Sequence, residues 1–281
     1  MSGTLLLRAL LALILACAMR PAAPGEPSLL GEAWALDPET ERVDLSLYRS
    51  NYFLPVRHSD NVNPAHGAGV SGFDTEDKEA KFQVSFKARV LSADGRRIGG
   101  WLAYTQQSHW QVYHAEASRP FRETNYAPEA IVVYDPRREV LGLRWRLAGL
   151  SFTHESNGQA APLSRSWNRA IGMFGFERGD FALLLRPWTR LKEQADQDDN
   201  ADITHYLGHG DLTLMARWGR NTFSLMMRGG KGAVQAGWIG RPWLGPLRGY
   251  VQLFSGYGES LIDYNWRQKT LGIGVALNDL F

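Results

Sequence analysis

The chain has 281 residues and nearly balanced charge, 31 Lys and Arg against 29 Asp and Glu, with the arginines dispersed rather than clustered. That balance excludes the basic patch on which nucleic-acid binding depends. Charged residues are 21% of the chain and aromatics 11%, and 29 glycines and 10 tryptophans are many for a soluble domain, a mixture that suits a barrel with two differently solvated faces.

Residues 1–23 read as a Sec-type signal peptide: Arg8 follows a short start, Ala9 to Met19 is apolar, and Ala18, Ala22 and Ala23 offer small-residue cleavage positions. The apolar run is too short to cross a bilayer as a helix, and no later run is long enough. The single cysteine, Cys17, lies within that signal, so the mature chain would hold neither disulfide nor thiol chemistry. Ile14-Leu15-Ala16-Cys17 is an imperfect lipobox and leaves a lipoprotein as the alternative. Residues 24–46 are acidic and irregular, an expected N-terminal periplasmic segment, and no Pro/Gly/Ser-rich linker divides residues 47–281.

From there one theme repeats. Segments of about ten residues alternate apolar and polar side chains, which on strands of period two puts one set outside and the other inside. In Lys81 to Leu91, Phe82, Val84, Phe86, Ala88 and Val90 share one face, and Gln83, Ser85, Lys87 and Arg89 share the other. Between Ile203 and Trp218, His205, His209, Asp211, Thr213 and Arg217 oppose Tyr206, Leu212, Leu214, Ala216 and Trp218. An apolar outside and a charged inside invert a soluble core.

The segments number twelve: 48–58, 79–92, 98–113, 127–136, 142–156, 164–178, 180–191, 202–217, 221–229, 232–242, 247–259 and 269–281. An even number returns both ends to the periplasm. Long polar connections such as 114–126 and 192–201 alternate with tight ones such as Glu177-Arg178-Gly179-Asp180 and Gly219-Arg220-Asn221. The last segment carries Leu271, Ile273, Val275, Leu277 and terminal Phe281 on one face, the ending usual for outer-membrane assembly. The fold predicted is all-β, a 12-stranded antiparallel transmembrane β-barrel in the bacterial outer membrane, with a soluble β-sandwich as the alternative.

The chemistry concentrates in Leu150 to Gly158. Residues two apart on a strand share a face and lie about 7 Å apart, so the imidazole of His154 can lean toward the hydroxyl of Ser156. Leu150 and Phe152 precede them on that face, which therefore looks toward lipid, while Ser151, Thr153 and Glu155 look inward. If the next strand pairs antiparallel about residue 161, Asn168 falls opposite His154 and Ser166 opposite Ser156. A hydroxyl nucleophile, an imidazole base and an amide to orient the ring are the three parts an esterase needs. An amide beside lipid avoids burying an unpaired anion. It also stabilises the imidazolium less, so help from elsewhere is expected. A lone His-x-Ser occurs by chance in many chains, and two polar residues in an interfacial girdle is the plainer alternative.

His154-Glu155-Ser156-Asn157-Gly158, followed by Ser164-Arg165-Ser166-Trp167-Asn168-Arg169, resembles the outer-membrane phospholipase A family. So do Tyr104-Thr105-Gln106, Pro120 to Tyr126, Gly256 to Tyr264 and the ending Leu277 to Phe281, so that the likeness runs from about residue 48 to the end. The resemblance implies a twelve-stranded barrel that acts on acyl esters of phospholipids and lysophospholipids and requires calcium and dimerisation. It implies Ser156 as nucleophile, His154 as base, Asn168 as the orienting amide and the N–H of Gly158 as an oxyanion donor. It also implies Ser118 from one subunit, with the main-chain carbonyl of Gln159 and the hydroxyl of Ser164 from the other, as calcium ligands. These are few, neutral oxygens, so water must complete the shell. The family often has Arg where Gln159 stands, which a carbonyl ligand tolerates, and Asp where Ala161 stands. That alanine removes a carboxylate from the family's other, monomeric calcium site, whose second carboxylate Asp199 matches. Gln106 is implied to bond its mate across the dimer; with its strand in the other register it would point into the lumen instead.

Two further readings stay open. Lipid A deacylases also carry His-x-Ser-Asn, although they are shorter and use a carboxylate where Asn168 stands. A non-catalytic pore or adhesin barrel is the other, against which Arg165, Trp167 and Arg169 argue by crowding the lumen. The histidines at 58, 66, 109, 114, 205 and 209 show no metal-ligand spacing.

Overall fold

The computed structural model describes residues 28–36, 44–64, 72–95, 97–194, 196 and 198–279. The expected signal peptide with its cysteine, His66 and terminal Phe281 lie outside them. Twelve long strands close into one antiparallel barrel. They are β2 (Tyr52–Ser59), β3 (Lys78–Ala93), β4 (Ile98–Trp110), β5 (Phe121–Tyr134), β7 (Leu143–Ser156), β8 (Ser166–Arg178), β9 (Phe181–Leu191), β10 (Gly210–Trp218), β11 (Asn221–Arg228), β12 (Ala233–Leu244), β13 (Leu247–Tyr257) and β14 (Arg267–Ala276). Each pairs with its neighbour in order, and β14 closes on β2 through pairs such as Ile273↔Val56. Two short strands, β1 (Leu45–Leu47) and β6 (Arg138–Val140), prolong the wall along β3 and β7.

The alternation sorts side chains as the sequence pattern requires. On β3, Val84, Phe86 and Val90 are exposed on the outer surface while Ser85 and Lys87 are buried inside. Loop length separates the two ends. Residues 111–120, 157–165, 192–209 and 258–266 connect strands at one end; turns at 179–180 and 219–220 close the other, each with its glycine at positive φ. A tight hairpin needs that conformation, and glycine takes it without cost.

Three expectations are corrected. Residues Ile203–Leu207 form a short helix, α2, rather than the start of a strand, and bury Ile203 and Leu207 in one cluster with Leu261 and Tyr264 of the 258–266 loop. His205 therefore sits on that helix and His209 just before β10, and neither fills the lumen from a strand. Strand β5 begins at Phe121, six residues before the predicted 127, because Phe121 to Asn125 continue the pairing with β4, as in Trp110↔Phe121 and Gln107↔Asn125.

The third concerns the lead-in. Expected to be irregular, residues 28–36 instead hold helix α1 (Leu29–Ala33), which with the residues after it buries Leu30, Trp34 and Leu36 inside the barrel against Trp101, Leu147 and Met173. Ser28 caps the helix and donates to Glu177, which also accepts from the Leu30 amide. The buried ammonium of Lys87 donates to the Ala33 carbonyl and lies 3.9 Å from the Trp34 ring centroid. Apolar residues spaced for one short turn were hidden among acids and prolines. The plug fills the lumen on the side of the short turns, so Leu30→Ala should cost about 3 kcal/mol of barrel stability, as a lost buried leucine does. The denaturant midpoint in detergent would read it; an unchanged midpoint would mean that the plug is not structural.

Candidate active site

Strands β7 and β8 carry the site. Their register pairs His154 with Asn168 and Ser156 with Ser166, the pairing predicted from a loop centred on residue 161. Leu150 and Phe152, on the same face of β7, are 49% and 53% exposed, whereas Ser151 and Thr153 are buried inside. His154 and Ser156 therefore project from the outer wall. The imidazole Nδ1 lies 2.9 Å from Asn168 Oδ1. Ser156 shares their face, and among the described residues no hydrogen bond joins its hydroxyl to the imidazole. Such contacts are often loose before substrate binds.

Facing inward between them, Glu155 accepts from Arg169 at 2.6 Å and from the Trp167 indole at 3.0 Å, and the Arg169 guanidinium stacks 3.9 Å from the Trp167 ring. The lumen side of the two strands is thus riveted directly behind the site. These groups border a polar cavity of about 190 Å³.

The loop 157–165 is held as firmly. Asn157 accepts from the Arg165 and Gln159 amides through Oδ1 and donates through Nδ2 to the Leu163 carbonyl and to Glu123. Glu123 also accepts from the Gln159 side chain at 2.7 Å and from the Ile262 amide. Gly158 has φ of +65°, and an added Cβ would come within 3.3 Å of the Tyr126 ring. Tyr126 itself stands opposite Ser156 on β5. Glycine at 158 is thus required both for its backbone conformation and for the aromatic ring beside it.

Cross-strand pairs extend the row outward. Gln106 on β4 pairs with Tyr126 and with Val84, and it shares the face of Leu102, which is 55% exposed. It sits on the outer wall in the same row as Ser156, as its predicted lipid-facing position requires. Its amide accepts from Tyr104 and donates to Ser108, making a polar belt on an otherwise apolar surface. Gln159 and Ser164 lie on the 157–165 loop, and Ser118, at φ of +58°, is exposed on the neighbouring turn 111–120. All three present neutral oxygens, the donors a hard cation takes. Among the described residues no three His, Cys, Asp or Glu side chains group as a metal site.

Two groups at the site escaped the sequence reading. Glu193, in the loop after β9, accepts from Asn168 Nδ2 at 2.7 Å. Glu123 is the anchor of the 157–159 turn. Glu193 lies in a loop without a period, and Glu123 stands on the inward face of β5 in a stretch expected to be a connection, so only the resemblance of Pro120 to Tyr126 marked it.

A family profile described as phospholipase A1 matches residues 30–277. The chain belongs to the phospholipase A1 family. It is 39% identical over 245 residues to a putative phospholipase A1 of Neisseria meningitidis, covering 82% of this chain and 64% of that relative, so it spans less than two thirds of that protein. It is 35% identical over 248 residues to the phospholipase A1 of Escherichia coli, covering 83% of this chain and 81% of the relative. Among solved structures, the outer membrane phospholipase A of E. coli superposes with a TM-score of 0.81 at 32% identity, over 90% of this chain and 100% of the other. An active-site mutant of that protein, in which alanine replaces an asparagine, matches equally well. The Salmonella typhi outer membrane phospholipase dimer with bound calcium gives 0.82 at 32% identity, again over 90% and 100%. The protein is an outer-membrane β-barrel.

Asn157→Ala should free the 157–165 loop while leaving the barrel wall closed. Limited proteolysis would show cleavage within that loop in the variant alone; equal resistance would mean that the bracket around Asn157 is dispensable.

Proposed function

We propose that this protein is a calcium-dependent serine esterase that cleaves acyl esters of phospholipids and lysophospholipids at the outer face of its own barrel, at either acyl position. The observation that carries the reading is the His154–Asn168 bond of 2.9 Å on a wall flanked by exposed Leu150 and Phe152. A lipid ester reaches such a site sideways through the bilayer, with no passage through the lumen. The asparagine altered in the E. coli active-site mutant supports an amide in the orienting role.

In this mechanism Asn168 Oδ1 accepts from the imidazole Nδ1–H and so leaves Nε2 unprotonated for the serine. Ser156 Oγ attacks the acyl carbonyl carbon as His154 Nε2 takes its proton. The same imidazolium returns that proton to the departing glycerol oxygen, leaving an acyl-serine. Water, deprotonated by the neutral imidazole, then releases the fatty acid and restores the hydroxyl. The Gly158 N–H is assigned to the oxyanion that develops at each attack.

Ser118, the Gln159 carbonyl and Ser164 would hold calcium, with Ser118 supplied by the second subunit. Bound there, calcium supplies positive charge beside the oxyanion, the compensation that a neutral orienting amide calls for. The calcium-bound Salmonella dimer supports both the cation and the homodimer. Gln106, in the same cross-strand row as Ser156, is the proposed contact to its counterpart in the second subunit.

Ser156→Ala should leave a heat-modifiable barrel and abolish fatty-acid release from phosphatidylcholine in mixed micelles; release that survives would remove the serine from the mechanism. Chelating calcium should silence the wild type, and added calcium should restore it. Full activity in chelator would refute the cation's role. Purified lipopolysaccharide should yield no fatty acid under the same conditions, and its deacylation would favour the lipid A reading.

A further inference from the structure

We infer that Glu193 is a positioning residue for the esterase, acting through Asn168. The inference rests on the triad reading above and assigns to it a fourth member. A primary amide has two ends of similar shape, and only one can serve the imidazole. With Oδ1 toward His154 the amide accepts from the ring; rotated by half a turn it would offer Nδ2 and favour the tautomer useless for taking the serine proton. Something must distinguish the two ends.

Glu193 does so. Its Oε1 lies 2.7 Å from Asn168 Nδ2, while Asn168 Oδ1 lies 2.9 Å from His154 Nδ1. Rotation would set a carboxylate oxygen against an amide oxygen, losing the bond to Glu193, and would leave the ring to bond only in the wrong tautomer. A carboxylate accepts only, so Glu193 selects the productive orientation by chemistry and not merely by shape. Its negative charge also pushes the amide's electron density away from Nδ2 and toward Oδ1, strengthening the bond to the ring.

The surroundings hold Glu193 in a long ion pair with an arginine that a second carboxylate engages more closely. Its side chain is 16% exposed, and the nearest cation, Arg190, stands 3.7 Å away. Arg190 is already committed to Asp198 at 2.6 Å and to the Asn200 carbonyl. Asn200 in turn accepts from the Ser166 amide, so the same loop is latched to β8 beside the site. A largely buried carboxylate at the margin of a lipid-facing wall is costly. The bond to Asn168 gives it a use that stability alone does not supply.

The test is a double-mutant cycle on the full-length protein refolded in detergent with calcium, assayed on phosphatidylcholine mixed micelles. Glu193→Ala should lower kcat about tenfold, the worth of one charge-assisted hydrogen bond, with KM unchanged. Glu193→Gln can still accept from Asn168 Nδ2 but loses the charge and the acceptor-only end, and should recover only part of that loss. In an Asn168→Ala background, Glu193→Ala should cost nothing further, because its partner is gone. Wild-type kcat in Glu193→Ala would overturn the inference, as would a tenfold loss that persists without Asn168. Should Glu193→Ala fail to fold, Glu193→Gln decides alone: wild-type kcat in a heat-modifiable barrel would contradict an orienting role, and a lowered kcat with KM unchanged would support it. Ser156→Ala run alongside separates the two failures. If it is inactive while Glu193→Ala is normal, only the positioning role falls; if it is active, the triad falls as well.

Discussion

A strand crossing a bilayer finds no water for its N–H and C=O groups, so each must be met by a neighbouring strand and the sheet can have no edge. Closure of β14 on β2 satisfies that constraint, and the rest of the molecule follows from it. Once the wall is closed, the period of two sends every second residue into an enclosed interior and the others into lipid. The interior must then be filled by groups that satisfy one another. Arg57, Glu79, Arg122 and Asp263 do this in the half of the lumen facing the long loops, where Glu79 accepts from both arginines and from His109. Near the short turns, the α1 plug and its core do it with apolar surface.

The same filling rigidifies the active wall. Glu155, Trp167 and Arg169 lie directly behind His154, Ser156 and Asn168 on the paired strands, so the outward side chains stand on a braced surface. At the mouth, Glu123 ties the 157–159 turn to the 258–266 loop, and Arg122 beside it belongs to the lumen network. The loop that bears Gly158 is thereby an extension of the barrel's interior. Catalytic groups placed on strands and braced from behind hold their geometry better than groups on free loops. In the proposed mechanism that bracing is what holds the bonded amide and imidazole, with the serine beside them, on a surface that faces fluid lipid.

Much of this was legible in the sequence because a barrel wall obeys one short period. The faces of β3 and of β7, the strand number and the pairing of His154 with Asn168 all follow from alternation and from one loop's midpoint. What was missed lacks such a period. Residues 28–36 hold Leu29 and Leu30 in one turn of helix and Trp34 and Leu36 just after it, a stretch too short to stand out, and nothing local says that the lumen awaits them. Helix α2 interrupts an alternation that His205 and His209 happened to continue. Glu193 is one acid in a loop rich in them, and only the fold brings it to Asn168. Spacing and register alone singled out Ser156, His154 and Asn168 as a candidate triad, whereas the roles of Gly158 and of the calcium ligands came from resemblance.

The central claim is that one serine on the lipid-facing wall is made nucleophilic by the imidazole beside it. Reaction with an alkyl fluorophosphonate, followed by mass spectrometry of the digested barrel, tests it most directly. The account predicts a single covalent adduct, on Ser156, that disappears when His154 is replaced by alanine. An adduct on another serine, or labelling of Ser156 that persists without His154, would contradict it.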